Sequence, residues 1–165
     1  MANKKFWLGI LAIVLVFGMM VVGCDEPEDE SLEGTWVGDG VELKLNDGNF
    51  EMSPNGSPYM KGTYTTNGNN MTLTPTHLHG HGTTFADWGL ESKWYTKSEL
   101  KEAMKTAAIA QAEAAGLTDA ELAAYGAELD ALFDNGLSDA FATTTVTYSV
   151  NGNTLTFGDS TLTRK

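Results

Sequence analysis

The chain has few of the residues that tie small extracellular domains together or that bind polyanions. It contains one cysteine in 165 residues, so no disulfide can form within the chain, and a packed core has to supply its stability. Basic residues are also scarce, with 10 lysines and arginines against 22 aspartates and glutamates and a formal net charge of −12. This charge disfavours nucleic acid as a partner, because its phosphates would be repelled.

Sequence motifs of common catalytic sites are absent as well. The chain has no Gly-x-Ser-x-Gly nucleophile motif, no phosphate-binding Gly-x-x-x-x-Gly-Lys loop and no His-Glu-x-x-His metal motif. Its carboxylates are scattered over an N-terminal acidic run and the predicted helices, where solvation is their ordinary role. The sequence therefore predicts a protein that is not an enzyme.

The one long apolar run lies near the N-terminus. Lys4 and Lys5 precede residues 6–23, which carry no charge, and an acidic run starts at Asp25. A basic start, an apolar stretch and small residues at its end are typical of a secretory signal. An uncleaved membrane helix is the alternative, since ~18 apolar residues can span a bilayer. Both interpretations place residues 25–165 outside the cytoplasm, because positive charge keeps the N-terminus inside.

The end of this run, Val21-Val22-Gly23-Cys24, resembles the lipobox of bacterial lipoproteins. The resemblance implies cleavage between Gly23 and Cys24, a diacylglycerol thioether on the Cys24 sulfur and often an acyl group such as palmitate on its amino group. Two or three acyl chains hold a protein stably, since each buried methylene contributes ~0.8 kcal/mol. We therefore expect a protein of the cell envelope, lipid-anchored on the extracytoplasmic side of a membrane, with residues 24–32 as an acidic tether.

Cleavage would also change the charge of the protein. Removing residues 1–23 takes away Lys4 and Lys5 but no acid, which leaves 8 basic and 22 acidic residues and a net charge of −14. Anionic lipid headgroups are then poor partners for the body of the protein, because they would repel it. We expect the membrane to be bound through the lipid anchor.

Residues 33–165 are predicted to form one mainly β domain. Apolar and polar residues alternate over residues 41–52, 60–73 and 146–162, with breaks at Asp47-Gly48, Asn67-Gly68 and Asn151-Gly152. Alternation of this kind is typical of strands with one buried face, and Asn-Gly and Asp-Gly favour two-residue hairpin turns. The pattern predicts two hairpins followed by a closing three-strand meander.

Residues 97–141 differ in character and are predicted to form an inserted pair of helices. The stretch is rich in alanine, glutamate and leucine and contains no proline. The spacing of a capping box, which satisfies free amides at a helix start, occurs twice, in Thr96 with Glu99 and in Thr118 with Glu121. Gly116 divides the two helices, and Asp134-Asn135-Gly136 is expected to end the second. The prediction is an αα-hairpin that packs on the sheet.

Gly34-Thr35-Trp36 on the first strand, a meander of short strands, a late helical element and Arg164 on the last strand together resemble the lipocalin-like proteins of the calycin group. The resemblance implies a small up-and-down antiparallel β-barrel in which Arg164 packs across Trp36 and, with Gly34, closes one end. The family's middle Thr-Asp-Tyr motif is absent, and the two-helix insert is longer than its usual single helix. A barrel of eight short strands is filled by its own side chains or holds one small ligand.

All three histidines lie in His77-Leu78-His79-Gly80-His81. On a strand, residues at i and i+2 point the same way ~6.6 Å apart, so His77 and His79 can share one divalent metal ion. His81 joins them only if Gly80 bends the chain, and Asp87 is the carboxylate that would complete the site. The alternative is a polar loop at the barrel rim, since no cysteine lies nearby to add a ligand.

Four aromatic residues follow the histidines: Phe85, Trp88, Trp94 and Tyr95. Exposed, they would stack on a sugar ring or an apolar ligand; buried, they would pack the helices on the barrel. The sequence predicts a non-catalytic binding module for a small apolar molecule or a glycan. Divalent metal capture by the histidines and an envelope-structural or protein-interaction role, with an unknown partner, are the alternatives.

Overall fold

A computed structural model describes residues 31–80 and 89–165. The apolar run, Cys24 and most of the predicted tether lie outside these ranges, and so do His81, Phe85, Asp87 and Trp88. In the described ranges no helix combines the length and apolar character that a membrane crossing requires.

The described chain forms strands and one pair of helices in a simple order. The strands are β1 (Gly34–Gly38), β2 (Val41–Asn46), β3 (Asn49–Pro54), β4 (Met60–Asn67), β5 (Asn70–His79), β6 (Trp94–Tyr95), β7 (Thr144–Asn151), β8 (Thr154–Phe157) and β9 (Ser160–Arg164). The helices α1 (Lys97–Ala114) and α2 (Asp119–Ala140) lie between β6 and β7.

Eight of these strands close into an antiparallel β-barrel. Each strand pairs with its neighbours in the order β1-β2-β3-β4-β5-β7-β8-β9, and β9 returns to pair with β1, where Trp36 lies opposite Arg164. The short β6 pairs only with the last residues of β5. The expected mainly β class, a small antiparallel barrel with an inserted helical hairpin, is confirmed.

The predicted turns set the strand registers. Gly48, Gly68 and Gly152 have φ angles of 72°, 56° and 57°, a region that glycine adopts without steric cost. Each glycine follows Asp or Asn, and each pair joins two strands as expected: β2 to β3, β4 to β5 and β7 to β8.

Because neighbouring strands are antiparallel, the connections divide between the two ends of the barrel. One end, called the turn end below, carries these three turns together with the start of β1 and the last residue of β9. The opposite end, called the helix end, carries the β1–β2, β3–β4 and β8–β9 connections and the long stretch between β5 and β7 that contains α1 and α2. The chain therefore enters the barrel at the turn end.

The core consists of two connected clusters. The barrel interior is filled by eight buried side chains: Trp36, Leu43, Leu45, Phe50, Met71, Leu73, Leu155 and Leu162. The second cluster joins β5 and β6 to the helices through Leu78, Tyr95, Leu100, Met104, Ala108, Leu129, Phe133 and Leu137. Met60 packs against both. Of the two possibilities for the barrel interior, the side-chain-filled one is found.

Both helices begin as their capping residues predict. The Thr96 amide donates to the Glu99 carboxylate at 2.8 Å, and the Glu99 amide donates to the Thr96 hydroxyl at 3.3 Å. At α2 the Thr118 amide donates to the Glu121 carboxylate at 2.8 Å. These hydrogen bonds favour the charged carboxylates and lower the pKa of Glu99 and of Glu121.

The expected end of the second helix was wrong. α2 continues through Gly136 to Ala140, because Leu137 is buried in the helical cluster and the Ser138 hydroxyl donates to the Asp134 carbonyl at 2.6 Å. Burial of one more helical turn outweighs the cost of a glycine within a helix, which is ~1 kcal/mol. The two-residue strand β6 was also missed, since two residues carry no periodicity.

Candidate functional site

The contact expected between Arg164 and Trp36 is present. The guanidinium carbon lies 4.3 Å from the centroid of the Trp36 ring, and the tryptophan is fully buried. Gly34 lies two residues before Trp36 on β1 and leaves space for the guanidinium, since an added Cβ would lie 3.1 Å from Arg164 Nη1. The pair closes the barrel where its first and last strands meet.

Arg164 and Trp36 also hold the chain just before the barrel. The guanidinium donates to the backbone carbonyls of Glu33 at 2.8 Å and Ser31 at 2.6 Å, and the indole N–H donates to the Leu32 carbonyl at 2.9 Å. Leu32 itself packs against the barrel core. Residues 31 and 32, which were expected to belong to the tether, are thus bound to the turn end.

The two described histidines project from the same side of β5. They flank the buried Leu78, and their cross-strand partners are Lys61 for His77 and Trp94 for His79. The His77 Nδ1 lies 2.9 Å from the Thr76 hydroxyl, and the His79 ring meets the Trp94 ring edge-on at 4.9 Å. In the described ranges no three His, Cys, Asp or Glu residues are grouped to hold a metal ion. Because His81 and Asp87 lie outside those ranges, the four-residue metal site stays a prediction.

Trp94 and Tyr95, the two described aromatics, occupy opposite faces of β6. Tyr95 is buried in the helical cluster, and its hydroxyl accepts a hydrogen bond from the Glu91 amide at 3.1 Å. Tyr95 thus packs the helices on the barrel, as expected for a buried aromatic residue at this place. Trp94 is only partly buried, on the outer side, with the Lys61 ammonium 4.8 Å from its ring centroid.

A row of polar side chains crosses the outside of the barrel beside Trp94. Cross-strand pairing aligns Lys44 with Glu51, Glu51 with Lys61 and Lys61 with His77, from β2 to β5. The Lys44 ammonium bridges Glu51 at 3.5 Å and Glu42 at 3.3 Å. Hydrogen bonds from Lys165, the larger contribution, and from Lys44 lower the pKa of the Glu42 carboxyl. The contact with Glu42 in turn raises the pKa of Lys44.

This row forms the floor of an open groove of about 450 Å³. The groove is lined by Lys44, Asn46, Asn49, Phe50, Glu51, Lys61, Gly62, Thr76 and His77. Gly62 lies opposite the core residue Phe50, and a Cβ there would clash with the Thr74 carbonyl oxygen and lie 2.8 Å from the Phe50 ring. We call this groove, with Trp94 beside it, the outer groove.

Most of the outer groove was missed by sequence reasoning. Lys44, Asn46, Asn49 and Lys61 are ordinary outward positions of alternating strands, and nothing in their local sequence separates them from other solvated residues. Only the strand registers bring them together. The usable signal was His77, which marks the face to which the groove belongs.

Comparison with known proteins adds no family to this picture. No protein-family model matches the chain, and neither a curated protein nor a solved structure matches it significantly. The class is defined by the described structure itself: a small closed antiparallel β-barrel with a filled interior and an inserted helical hairpin.

Proposed function

We propose that the protein is a lipid-anchored, extracytoplasmic, non-catalytic binding protein whose ligand is a glycan and whose site is the outer groove. The observation that carries the proposal is the open groove on β2 to β5, which presents amide, hydroxyl and ammonium groups beside apolar surface and lies next to a partly exposed tryptophan. The lipocalin-like resemblance is kept as part of the proposal, since it rests on Gly34, Trp36 and Arg164.

The filled barrel favours a glycan over an apolar small molecule. Trp36, Leu43, Met71 and Leu155 are each fully buried in the interior, so a ligand there would have to displace packed side chains. Opening such a core costs several kcal/mol, since truncating one large core side chain alone costs ~2–5 kcal/mol. The outer face is therefore the better place for a ligand.

The groove offers the groups that a sugar requires. The Asn46 and Asn49 amides each donate to Asp47 and keep a side-chain oxygen that can accept, whereas the Lys61 ammonium can only donate. In the described ranges Lys61 forms no ion pair with a carboxylate, and its ammonium lines the groove 4.8 Å from the centroid of the Trp94 ring. A sugar presents hydroxyls at its edge and C–H groups on its face, which match amides and an indole.

The anchored part of the proposal is supported by the sequence before the described ranges. Lipidation of Cys24 is supported by the lipobox-like Val21-Val22-Gly23-Cys24. This motif ends an uncharged stretch and is followed directly by acidic residues. Several anchored copies on one membrane could then bind the same glycan chain. Their combined affinity would exceed that of one weak site.

Titration of the lipidated protein with defined oligosaccharides tests the proposal. Neutral chitooligosaccharides and acidic oligogalacturonates serve as probes, with tryptophan fluorescence and calorimetry as readouts. We expect one of them to bind and Lys61→Ala to weaken that binding by about tenfold, since a hydrogen bond from a charged donor contributes ~1.5–3 kcal/mol.

Matched controls separate the groove from general charge effects. Lys97→Ala removes a lysine on α1 that donates to Ser138, and Thr65→Ala removes an exposed hydroxyl on β4 outside the groove. Neither should change the affinity. Equal weakening by Lys61→Ala and Lys97→Ala, or no binding of either class of probe, would overturn the glycan site.

A further inference from the structure

We propose that the barrel stands on the bilayer with its turn end against the phospholipid headgroups and its helix end facing away. This orientation rests on the anchoring part of the proposed function, and it does not depend on glycan binding. Three features of the chain carry it: the place where the tether joins the barrel, the length of the tether, and the distribution of charge between the two ends.

The joining point is fixed by Arg164. Its guanidinium holds the carbonyls of Ser31 and Glu33 while it packs on Trp36, and Leu32 is packed against the barrel core. The chain is therefore bound to the turn end from Ser31 onward. A lipid on Cys24 would pull on this end of the barrel and on no other.

The remaining tether is short compared with the barrel. Six residues lie between Cys24 and Ser31, so seven extended steps from Cα to Cα join them and reach at most about 25 Å. The ten residues of β5 span about 34 Å, or roughly 25 Å along the axis of a barrel with ordinary strand tilt. In an inverted barrel the tether would have to run back along the full height of the barrel to reach the membrane. That height is about equal to the whole reach of the tether.

Charge favours the same orientation. The three hairpin turns of the turn end, residues 46–49, 67–70 and 151–154, contain seven asparagines and one charged residue, Asp47. Residues 97–140, which follow β6 at the helix end, contain nine acids against three lysines. Anionic headgroups repel the helix end, whereas neutral amides hydrogen-bond to the headgroup layer without such a penalty.

Energy transfer to the membrane tests the orientation. The protein has no cysteine besides Cys24, so after lipidation Asn153→Cys labels the turn end and Ala115→Cys labels the tip of the helical hairpin. Both positions are exposed. Each lipidated, dye-labelled protein is reconstituted into vesicles of phosphatidylcholine and phosphatidylglycerol that contain an acceptor lipid.

We expect several-fold higher transfer from position 153 than from position 115. A flexible Gly-Ser insertion before Ser31 should bring the two values together, because a longer tether no longer fixes the end that faces the bilayer. Equal or reversed transfer in the natural-length protein would overturn the orientation, and failure to bind vesicles would overturn it together with the anchor. Unequal transfer without any glycan binding would remove the glycan site alone.

Discussion

Arg164 makes three kinds of contact, two through its side chain and one through its backbone. It packs over Trp36, its backbone pairs with β1 to close the barrel, and its guanidinium holds two carbonyls of the incoming chain. A planar, forked cation can do all of this at once, because its donors lie in the plane while its face contacts the indole. The residue joins the first and last strands of the domain.

Replacing Arg164 should therefore destabilise the whole barrel. We expect Arg164→Ala to lower the free energy of unfolding by about 2–3 kcal/mol, since an exposed cation–π contact contributes ~0.5–1 kcal/mol and even one of the two hydrogen bonds from this charged donor adds ~1.5 kcal/mol or more. Urea unfolding of residues 24–165 carrying Cys24→Ser, followed by tryptophan fluorescence, measures this change.

Arg164→Lys is the matched control for this prediction. It keeps a cation over Trp36 but has one ammonium instead of two separate donor groups, so a loss of about 1 kcal/mol is expected. If Arg164→Ala changes stability by less than about 0.5 kcal/mol, as an ordinary surface substitution does, the contacts of Arg164 do not close the barrel.

At the scale of elements, a ladder of polar pairs joins α1 to α2. Lys97 donates to Ser138 at 2.9 Å, and Lys101 and Lys105 contact carboxylates of α2. The lysines are four residues apart on one helix, and their partners are four apart on the antiparallel helix, so each meets its partner one turn further on. Asp130 forms ion pairs with both Lys101 and Lys105.

This ladder predicts a pH-dependent stability of the helical hairpin. The hydrogen bond from Lys105, followed by that from Lys101, lowers the pKa of Asp130. A carboxyl with a lowered folded-state pKa stabilises the fold above its unfolded pKa of ~3.9, and the effect is lost as pH falls through the folded-state value. The stability difference between the natural protein and Asp130→Asn should therefore be full at neutral pH and shrink below about pH 4.

Urea unfolding at a series of pH values, followed by far-ultraviolet circular dichroism, gives this difference. Asp139→Asn is the control, because Asp139 lies on α2 and forms no ion pair within the described ranges. Added salt should reduce the Asp130 effect, since these lysines and acids are partly exposed. A difference that stays constant from pH 7 to about pH 3 would contradict the ladder.

At the scale of the whole molecule, the proposed anchor depends on Cys24. We expect Cys24→Ser to abolish incorporation of labelled palmitate and to move the protein from the membrane fraction to the soluble extracytoplasmic fraction, because no acyl chains remain to be buried in the bilayer. Fractionation and metabolic labelling of cells that express either form give the result. Continued labelling of the serine variant would contradict the lipobox interpretation.

The outer groove shows how much of a site local sequence can indicate. The alternation of β2, β3 and β4 predicted which residues face outward, and the Asp-Gly and Asn-Gly turns predicted which strands are neighbours. The local sequence did not predict that Lys61 would lie beside Trp94, since β6 is only two residues long and begins 15 residues after the end of β5. Contacts between residues far apart in the chain depend on registers that no local pattern contains.

By itself the sequence determined the fold class, the hairpins at Gly48, Gly68 and Gly152 and the helical insert, because periodicity, turn residues and capping residues act over a few positions. The contact of Arg164 with Trp36 was expected from the lipocalin-like resemblance, and the pairing of β9 with β1 makes it. Tertiary structure alone decided that α2 passes Gly136, that Tyr95 is buried and that the barrel is filled. These outcomes depend on the volume and apolar area that distant elements bury against each other. Neither quantity is defined until the barrel and the helices have packed together.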